Sequence, residues 1–166
     1  MKIKTILSTL FVVLVSVGLY GCGGDDDDSR MTINSNDFDF SAVNTVGDKE
    51  LSATAGGPVI TVNWTVNVTV NGETTTVSGT CHSNELPVRP GDEVVVTFKP
   101  SCPEETEAYF VLPDNSSKKA TVANPSFAWT VPSNFKAGME IKGATHYETD
   151  QFIYNRTGSI KLVALE

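Results

Sequence analysis

The sequence predicts an all-β domain, an antiparallel β-sandwich of about seven to nine short strands, behind a distinct amino-terminal segment. Three observations lead to this prediction. Apolar and polar residues alternate with a period of two in the strongest segments, no stretch after Arg30 keeps the 3.6-residue period of a helix, and turn residues separate the segments at short intervals. A length of 166 residues suits one domain with additions rather than two full domains.

The clearest strand is VITVNWTVNVTV, residues 59–70. Its even positions are apolar and its odd positions from 61 onward are Thr and Asn, which is typical of a strand with one buried and one hydrated face. The preferred two-residue hairpin turn, Asn71-Gly72, follows, and ETTTVSGTC is the return strand. Because a two-residue turn places Val62 opposite Cys81, we expect Cys81 to point toward the core.

Further segments predict strands of the same kind. In RPGDEVVVTFKP and SFAWTVP the residues expected to face inward are Val94, Val96, Phe98, Phe127, Trp129 and Val131. Another strand is predicted at residues 108–112, within EAYFVLPDNSS. The remaining predicted strands lie in KKATV, MEIKGATHY and FIYNRTGSIKLVAL. No internal repeat or second domain is apparent, so residues 31–166 are predicted to form a single domain.

The amino terminus has the composition of a secretory signal. Lys2 and Lys4 give a positive start, and the 16 residues from Thr5 to Tyr20 carry no charge. This apolar stretch is shorter than the roughly 20 residues that a membrane-spanning helix needs. Residues 1–21 are therefore predicted to be a cleaved signal peptide rather than a retained membrane helix.

The junction LYGCGGDDDD, residues 19–28, resembles the lipobox of bacterial lipoproteins. Leu19, Gly21 and Cys22 match its apolar, small and cysteine positions, whereas Tyr20 stands where a small residue is usual. The resemblance implies that Cys22 becomes the first mature residue, is lipidated and tethers the protein to a membrane. Each buried methylene contributes about 0.8 kcal/mol, so the several acyl chains of this family give a stable anchor.

The acidic stretch after Cys22 is predicted to be a tether. Glycines are flexible and like charges repel, so residues 22–30 are expected to extend away from the membrane. The run also resembles the export signal of Bacteroidota-type surface lipoproteins, which implies the outer face of the outer membrane, with the periplasmic leaflet as the alternative. A net charge of −8 without a basic cluster argues against nucleic acid as a partner and against direct binding to anionic lipid.

The cysteine count predicts a disulfide. With Cys22 assigned to the lipid, Cys81 and Cys102 remain as an even pair in an exported protein, where disulfides persist. A bridge between them is expected to stabilise the domain by about 3 kcal/mol. Two buried free thiols are the alternative.

No sequence motif indicates catalysis, a cofactor or a metal. The chain lacks G-x-S-x-G, H-E-x-x-H, P-loop and dinucleotide-binding motifs, so we predict that it is not an enzyme and has no cofactor. His146, Glu148 and Asp150 would share one face of a strand and offer ligands to a divalent ion, but a solvated strand end is the simpler interpretation. The acidic loop PEETE is likewise interpreted as solvated.

The aromatic residues divide into two groups. Trp64 and Trp129 lie on the apolar faces of their strands and are assigned to the core rather than to a glycan-binding platform. Tyr109 lies in a strand that is apolar on both faces, so it belongs either to a covered central strand or to an exposed patch.

The order of signals in residues 85–166 resembles the immunoglobulin-like modules of secreted bacterial proteins. The segments that carry this resemblance are PGDEVVVTF, AYFVLPDN, NPSFAWTVP and AGMEIKGATHY, although no tryptophan lies between the two cysteines as it does in antibody domains. Together with the anchor, the resemblance implies a non-catalytic surface lipoprotein that binds or adheres to a glycan or a surface protein. The alternatives are a structural spacer or subunit of an outer-membrane assembly and, less favoured, a small hydrolase.

Replacing the predicted anchor residue tests the lipoprotein assignment. In a Cys22→Ala variant, we expect the protein either to leave the membrane fraction or to keep its signal peptide, because no thiol remains to be acylated. Fractionation and gel mobility in the native host measure both effects. A variant that fractionates and migrates like the wild type would contradict lipidation at this residue.

Overall fold

The computed structural model describes residues 29–166 and confirms an all-β protein. These residues form no helix that could span a membrane. The twelve strands are β1 (Met31–Ser35), β2 (Phe40–Val46), β3 (Lys49–Ala55), β4 (Thr61–Val70), β5 (Glu73–His82), β6 (Glu85–Val88), β7 (Glu93–Phe98), β8 (Glu107–Val111), β9 (Ser117–Thr121), β10 (Ser126–Thr130), β11 (Glu140–Glu148) and β12 (Phe152–Ala164). The count exceeds the seven to nine predicted because β1, β2, β3 and β6 were not recognised in the sequence.

The predicted signal peptide and Cys22 lie outside the described residues, as does most of the tether. Arg30, the last residue assigned to the tether, forms an ion pair with Glu148, with 2.8 Å between Nη1 and Oε2. Met31 then begins β1 directly opposite Phe152. The chain therefore enters the folded domain at the start of β12.

Two sheets and a hairpin make up the domain. The larger sheet runs β9-β8-β11-β12, and the outer edge of β12 carries β1 along its first part and β6 along its last part. The smaller sheet runs β10-β7-β2-β3, and β4 and β5 form the hairpin. All strand pairs are antiparallel except β1–β12 and β6–β12, which are parallel. The β-sandwich prediction is thus confirmed, with two parallel pairs that the prediction did not include.

The hairpin has the register predicted from its turn. Val70 lies opposite Glu73 and Val62 lies opposite Cys81 across an unbroken ladder. Asn71 and Gly72 have φ values of 52° and 78°, the left-handed conformation that a tight hairpin turn requires. The inner face of the hairpin buries Val66 completely against the sandwich.

A cluster of phenylalanines joins the two large sheets. Phe40 of β2 and Phe110 of β8 meet edge to face with their ring centroids 5.1 Å apart. Phe38, which precedes β2, lies 6.0 Å from both Phe98 and Phe110. Of the residues predicted to face inward, Val94, Val96, Phe98, Trp129 and Val131 are buried, and Phe127 packs against the core. Aromatic contacts of this kind add about 0.5–1.5 kcal/mol each beyond the burial of their area.

Two glycines make room for this cluster in the larger sheet. Gly143 of β11 and Gly158 of β12 lie directly opposite each other. A Cβ at Gly143 would lie 2.7 Å from the ring of Phe38 and 2.9 Å from those of Phe40 and Phe110. The rings therefore pack directly against the backbone of the sheet.

A methyl group at this position should disrupt the packing. We expect Gly143→Ala to lower the free energy of unfolding by about 2 kcal/mol, because the rings must shift in a close-packed core. Urea unfolding of the purified protein measures the change. Gly57→Ala is the control, since its Cβ would meet no atom within 4 Å, and its effect should stay within about 0.5 kcal/mol. Equal stability of both variants and the wild type would contradict the packing described.

Candidate functional site

On its outer edge, β12 has a short stretch that pairs with no other described strand, and we call this stretch the gap. The pairing with β1 ends at Arg156 and the pairing with β6 begins at Lys161. Within this gap the carbonyl of Thr157 accepts a hydrogen bond from the amide of Phe38 (3.1 Å), and the amide of Lys161 donates to the carbonyl of Asn84 (3.0 Å). Odd-numbered residues of β12 therefore direct their backbone polar groups toward this edge.

Ser159 lies between these two bonded positions. Its N–H and C=O face the outer edge, because the backbone of the even-numbered Leu162 bonds on the opposite side, with its amide 2.7 Å from the carbonyl of Met139. No described residue bonds to the backbone of Ser159 on the outer edge. One donor and one acceptor of the strand are thus left open.

An open groove of about 490 Å³ surrounds this position, and we call it the edge groove. The side chains and glycines that line it include Asn36, Gly57, Val59, Asn84, Lys142 and Thr157. Most of the lining is uncharged, and its two charged side chains, Glu140 and Lys142, form an ion pair at 3.8 Å. The edge groove therefore presents mainly amides and hydroxyls, which can both donate and accept hydrogen bonds.

The amides of the edge groove remain available for a ligand. The hydroxyl of Thr157 donates to Oδ1 of Asn36 at 2.9 Å, which fixes the orientation of that side chain. The Nδ2 group of Asn36 and the whole side-chain amide of Asn84 have no hydrogen-bond partner among the described residues. Some polar groups of the lining are thus fixed in orientation, and others are free to bond to a ligand in place of water.

Tyr109 lies on the same outer face of the larger sheet. It is opposite Ala144, which is itself opposite Thr157, so the three residues form one row across β8, β11 and β12. At about 4.8 Å between strands, Tyr109 is about 10 Å from Thr157. Its hydroxyl donates to Glu107 at 2.6 Å, and this bond raises the pKa of Tyr109. Tyr109 is therefore a partly exposed ring held in place on the outer face of the sheet.

The possible metal ligands of HYETD are only partly brought together. Nε2 of His146 is 3.3 Å from Oε1 of Glu148, and its Nδ1 is 2.7 Å from Oδ1 of Asn155. The ion pair with Arg30 lowers the pKa of Glu148. Asp150 follows the end of β11 and does not join this group. The described residues contain no cluster of three side chains that could hold a metal ion.

The disulfide predicted between Cys81 and Cys102 is not present, because both are free thiols in the described structure. Cys81 lies near Glu85, which pairs with Lys161 at one end of β12. Cys102 lies near Tyr147, which is opposite Tyr154 near the other end. The two places are about 20 Å apart along the strand, whereas a disulfide needs Cα atoms within about 7 Å.

The loop interpreted as solvated instead contains a buried ion pair. Glu105 of PEETE is completely buried, and its Oε1 is 3.0 Å from Nη1 of Arg156. Nε of Arg156 also donates to Asp37 at 3.0 Å. The other oxygen of Glu105 accepts hydrogen bonds from the amide and the hydroxyl of Ser101. The alternation of β12 places Arg156 on the inward face, but nothing in the loop sequence identifies its partner.

The assignment to the core is confirmed for Trp129, whereas Trp64 is partly buried at the edge of the core. Trp129 is 7 % exposed, and Trp64 packs against the core with its indole ring over Gly79. Tyr147 and Tyr154 stack with ring centroids 4.6 Å apart. Burial and the nearby Cys102 raise the pKa of Tyr147 to about 12, so it stays neutral at physiological pH.

The chain matches no protein-family model, and no curated protein or solved structure is significantly similar to it. The immunoglobulin-like assignment therefore stays a prediction. The function has to be inferred from the geometry of the edge groove and its surroundings.

Removing one partner of the buried ion pair should destabilise the domain. We expect Glu105→Ala to lower the free energy of unfolding by about 3 kcal/mol, because Arg156 keeps its charge but loses its fully buried partner. The exposed neighbour provides a control, since Glu104→Ala should change stability by less than about 0.5 kcal/mol. Thermal and urea unfolding of both variants measure the difference. Similar losses in the two variants would contradict the role given to Glu105.

Proposed function

We propose that the protein is a non-catalytic, lipid-anchored surface module that binds a neutral glycan in the edge groove. The observation that carries this proposal is the lining of the groove, in which amides, hydroxyls and an open backbone donor and acceptor surround a volume of about 490 Å³. Carbohydrates present dense hydroxyl groups that donate and accept hydrogen bonds, so they complement such a surface.

The distribution of charge supports a neutral ligand. The chain has a net charge of −8, which disfavours anionic partners at long range. Within the edge groove, the ion pair of Glu140 and Lys142 leaves little net charge. Tyr109, a partly exposed ring about 10 Å from Thr157 across the sheet with the ammonium of Lys119 5.4 Å from its centre, is near enough to contact a second sugar unit.

The position of the tether supports binding at a surface. The described chain begins next to Phe152, at the start of β12, whereas Ser159 lies about 20 Å farther along the same strand. A tether that extends from this end holds the edge groove away from the anchored end. The groove is then accessible to a ligand outside the membrane.

A glycan array tests the proposed function directly. We expect the labelled full-length protein in detergent micelles to retain neutral oligosaccharides in preference to sulfated or sialylated ones. A Gly57→Trp variant should lose this binding by at least about tenfold, because Gly57 lines the groove and its Cβ points into open space. Thr76→Trp places the same bulk on the exposed face of the hairpin, remote from the groove, and should bind like the wild type.

Two results would contradict the proposal. One is a wild-type protein that retains no glycan on the array. The other is a Gly57→Trp variant that folds, as judged by circular dichroism, and binds glycans as strongly as Thr76→Trp does.

A further inference from the structure

We infer that the backbone of Ser159 recognises a vicinal diol of a pyranose ring, which makes this one residue the hydrogen-bonding centre of the edge groove. This inference rests on the proposed function and adds the chemical group that is bound. It starts from the observation that Ser159 alone, between Thr157 and Lys161, has a backbone donor and acceptor on this edge without a partner in residues 29–166.

The geometry of an extended residue defines the complementary group. In a β-strand, the amide nitrogen and the carbonyl oxygen of the same residue point to the same side and lie about 3 Å apart. Neighbouring hydroxyl groups on a pyranose ring have a similar spacing and project to one side. One hydroxyl can therefore donate to the carbonyl of Ser159 while its neighbour accepts from the amide.

A secondary amide does not fit this pair of groups. Its N–H and C=O point in opposite directions because the peptide bond is trans, so one amide cannot meet a donor and an acceptor that face the same way. An N-acetyl group thus satisfies only one of the two positions on Ser159.

The length of the free edge excludes an added peptide strand. Phe38 already bonds to Thr157 on one side of Ser159, and Asn84 bonds to Lys161 on the other. A peptide that pairs with a sheet edge needs several consecutive free residues, whereas this edge provides one. A compact ring needs only this one residue, whereas a paired strand also needs the neighbouring positions, which are already bonded.

Side chains around Ser159 suit the remaining hydroxyls of such a ring. Asn36 and Asn84 line the same groove and carry amide groups that are solvent-accessible and have no partner among the described residues. Val59 is 57 % exposed at the groove and provides an apolar contact for the C–H groups of a sugar face. The edge groove therefore combines a fixed backbone pair with side-chain donors and an apolar surface.

Matched oligosaccharides test this inference in the full-length protein. The probes are tetrasaccharides of β-1,4-linked glucose and mannose, each unmodified, methylated on O2 and O3, or methylated on O6. We expect the 2,3-di-O-methylated forms to bind at least about tenfold more weakly than the unmodified ones, because a methyl ether cannot donate to the carbonyl of Ser159 and its methyl groups hinder approach to the amide. The 6-O-methylated forms carry an added methyl group but keep the diol, and should retain their affinity.

Nuclear magnetic resonance identifies the residue involved. On titration with an unmodified tetrasaccharide, the amide resonance of Ser159 should shift more than those of the hairpin residues Thr76 and Thr80. A Ser159→Pro variant, which removes an N–H that takes no part in the sheet and puts the proline ring in its place, should bind about tenfold more weakly. If that variant fails to fold, the titration of the wild type still decides the question.

The outcomes separate the inference from the proposed function. Glycan binding without a shift at Ser159, or with equal affinity for the 2,3-di-O-methylated forms, overturns the diol inference and leaves the proposed function in place. The absence of binding to any neutral glycan, on the array and in these titrations, overturns both.

Discussion

The packing of Phe38 over the paired glycines of β11 and β12 determines both the core and the edge groove. Its ring occupies the space above Gly143, where any side chain would collide with it. Its amide bonds to the carbonyl of Thr157, so the chain must turn inward from the edge of β12 just after Ser35. Pairing on this edge of β12 resumes only at Lys161, which lies opposite Glu85, the first residue of β6. The open backbone of Ser159 is therefore a consequence of how the core is filled.

The buried ion pair has the complementary role near the start of β12. Arg156 joins Glu105 of one loop and Asp37 of the β1–β2 connection, so two segments without regular structure are fixed to the same strand. The hydrogen bonds from Ser101 to Glu105 complete the network, as a buried carboxylate requires. Charge is thus neutralised beneath the larger sheet while the edge groove on its outer side remains largely uncharged.

The sequence alone predicts correctly those strands and turns whose residue pattern is local. The hairpin register follows from two turn residues, and the inward faces of β7 and β10 follow from alternation. The alternation in β2 is hard to recognise because Asn44 interrupts its apolar face. Asn44 is buried, and its side-chain nitrogen donates to Pro87 and Asp92, partners that only the fold supplies. The disulfide prediction failed because a cysteine count contains no distances. The edge groove depends on two parallel pairings between segments distant in the chain, which period-two patterns do not specify.

A site formed from unpaired backbone has a different tolerance to mutation from one formed from side chains. The open N–H and C=O of Ser159 persist under most substitutions at that position, whereas the gap that exposes them depends on residues elsewhere. Phe38 is fully buried, and its amide bonds to Thr157 just beyond the point where β1 leaves β12. Gly143, which lines the groove, leaves room for the Phe38 ring. Selectivity should then reside in the flanking amides of Asn36 and Asn84, which can change without loss of the sheet. The constant feature of such a site is a pair of hydrogen-bonding groups set by the fold, and the variable feature is the arrangement of side chains around it.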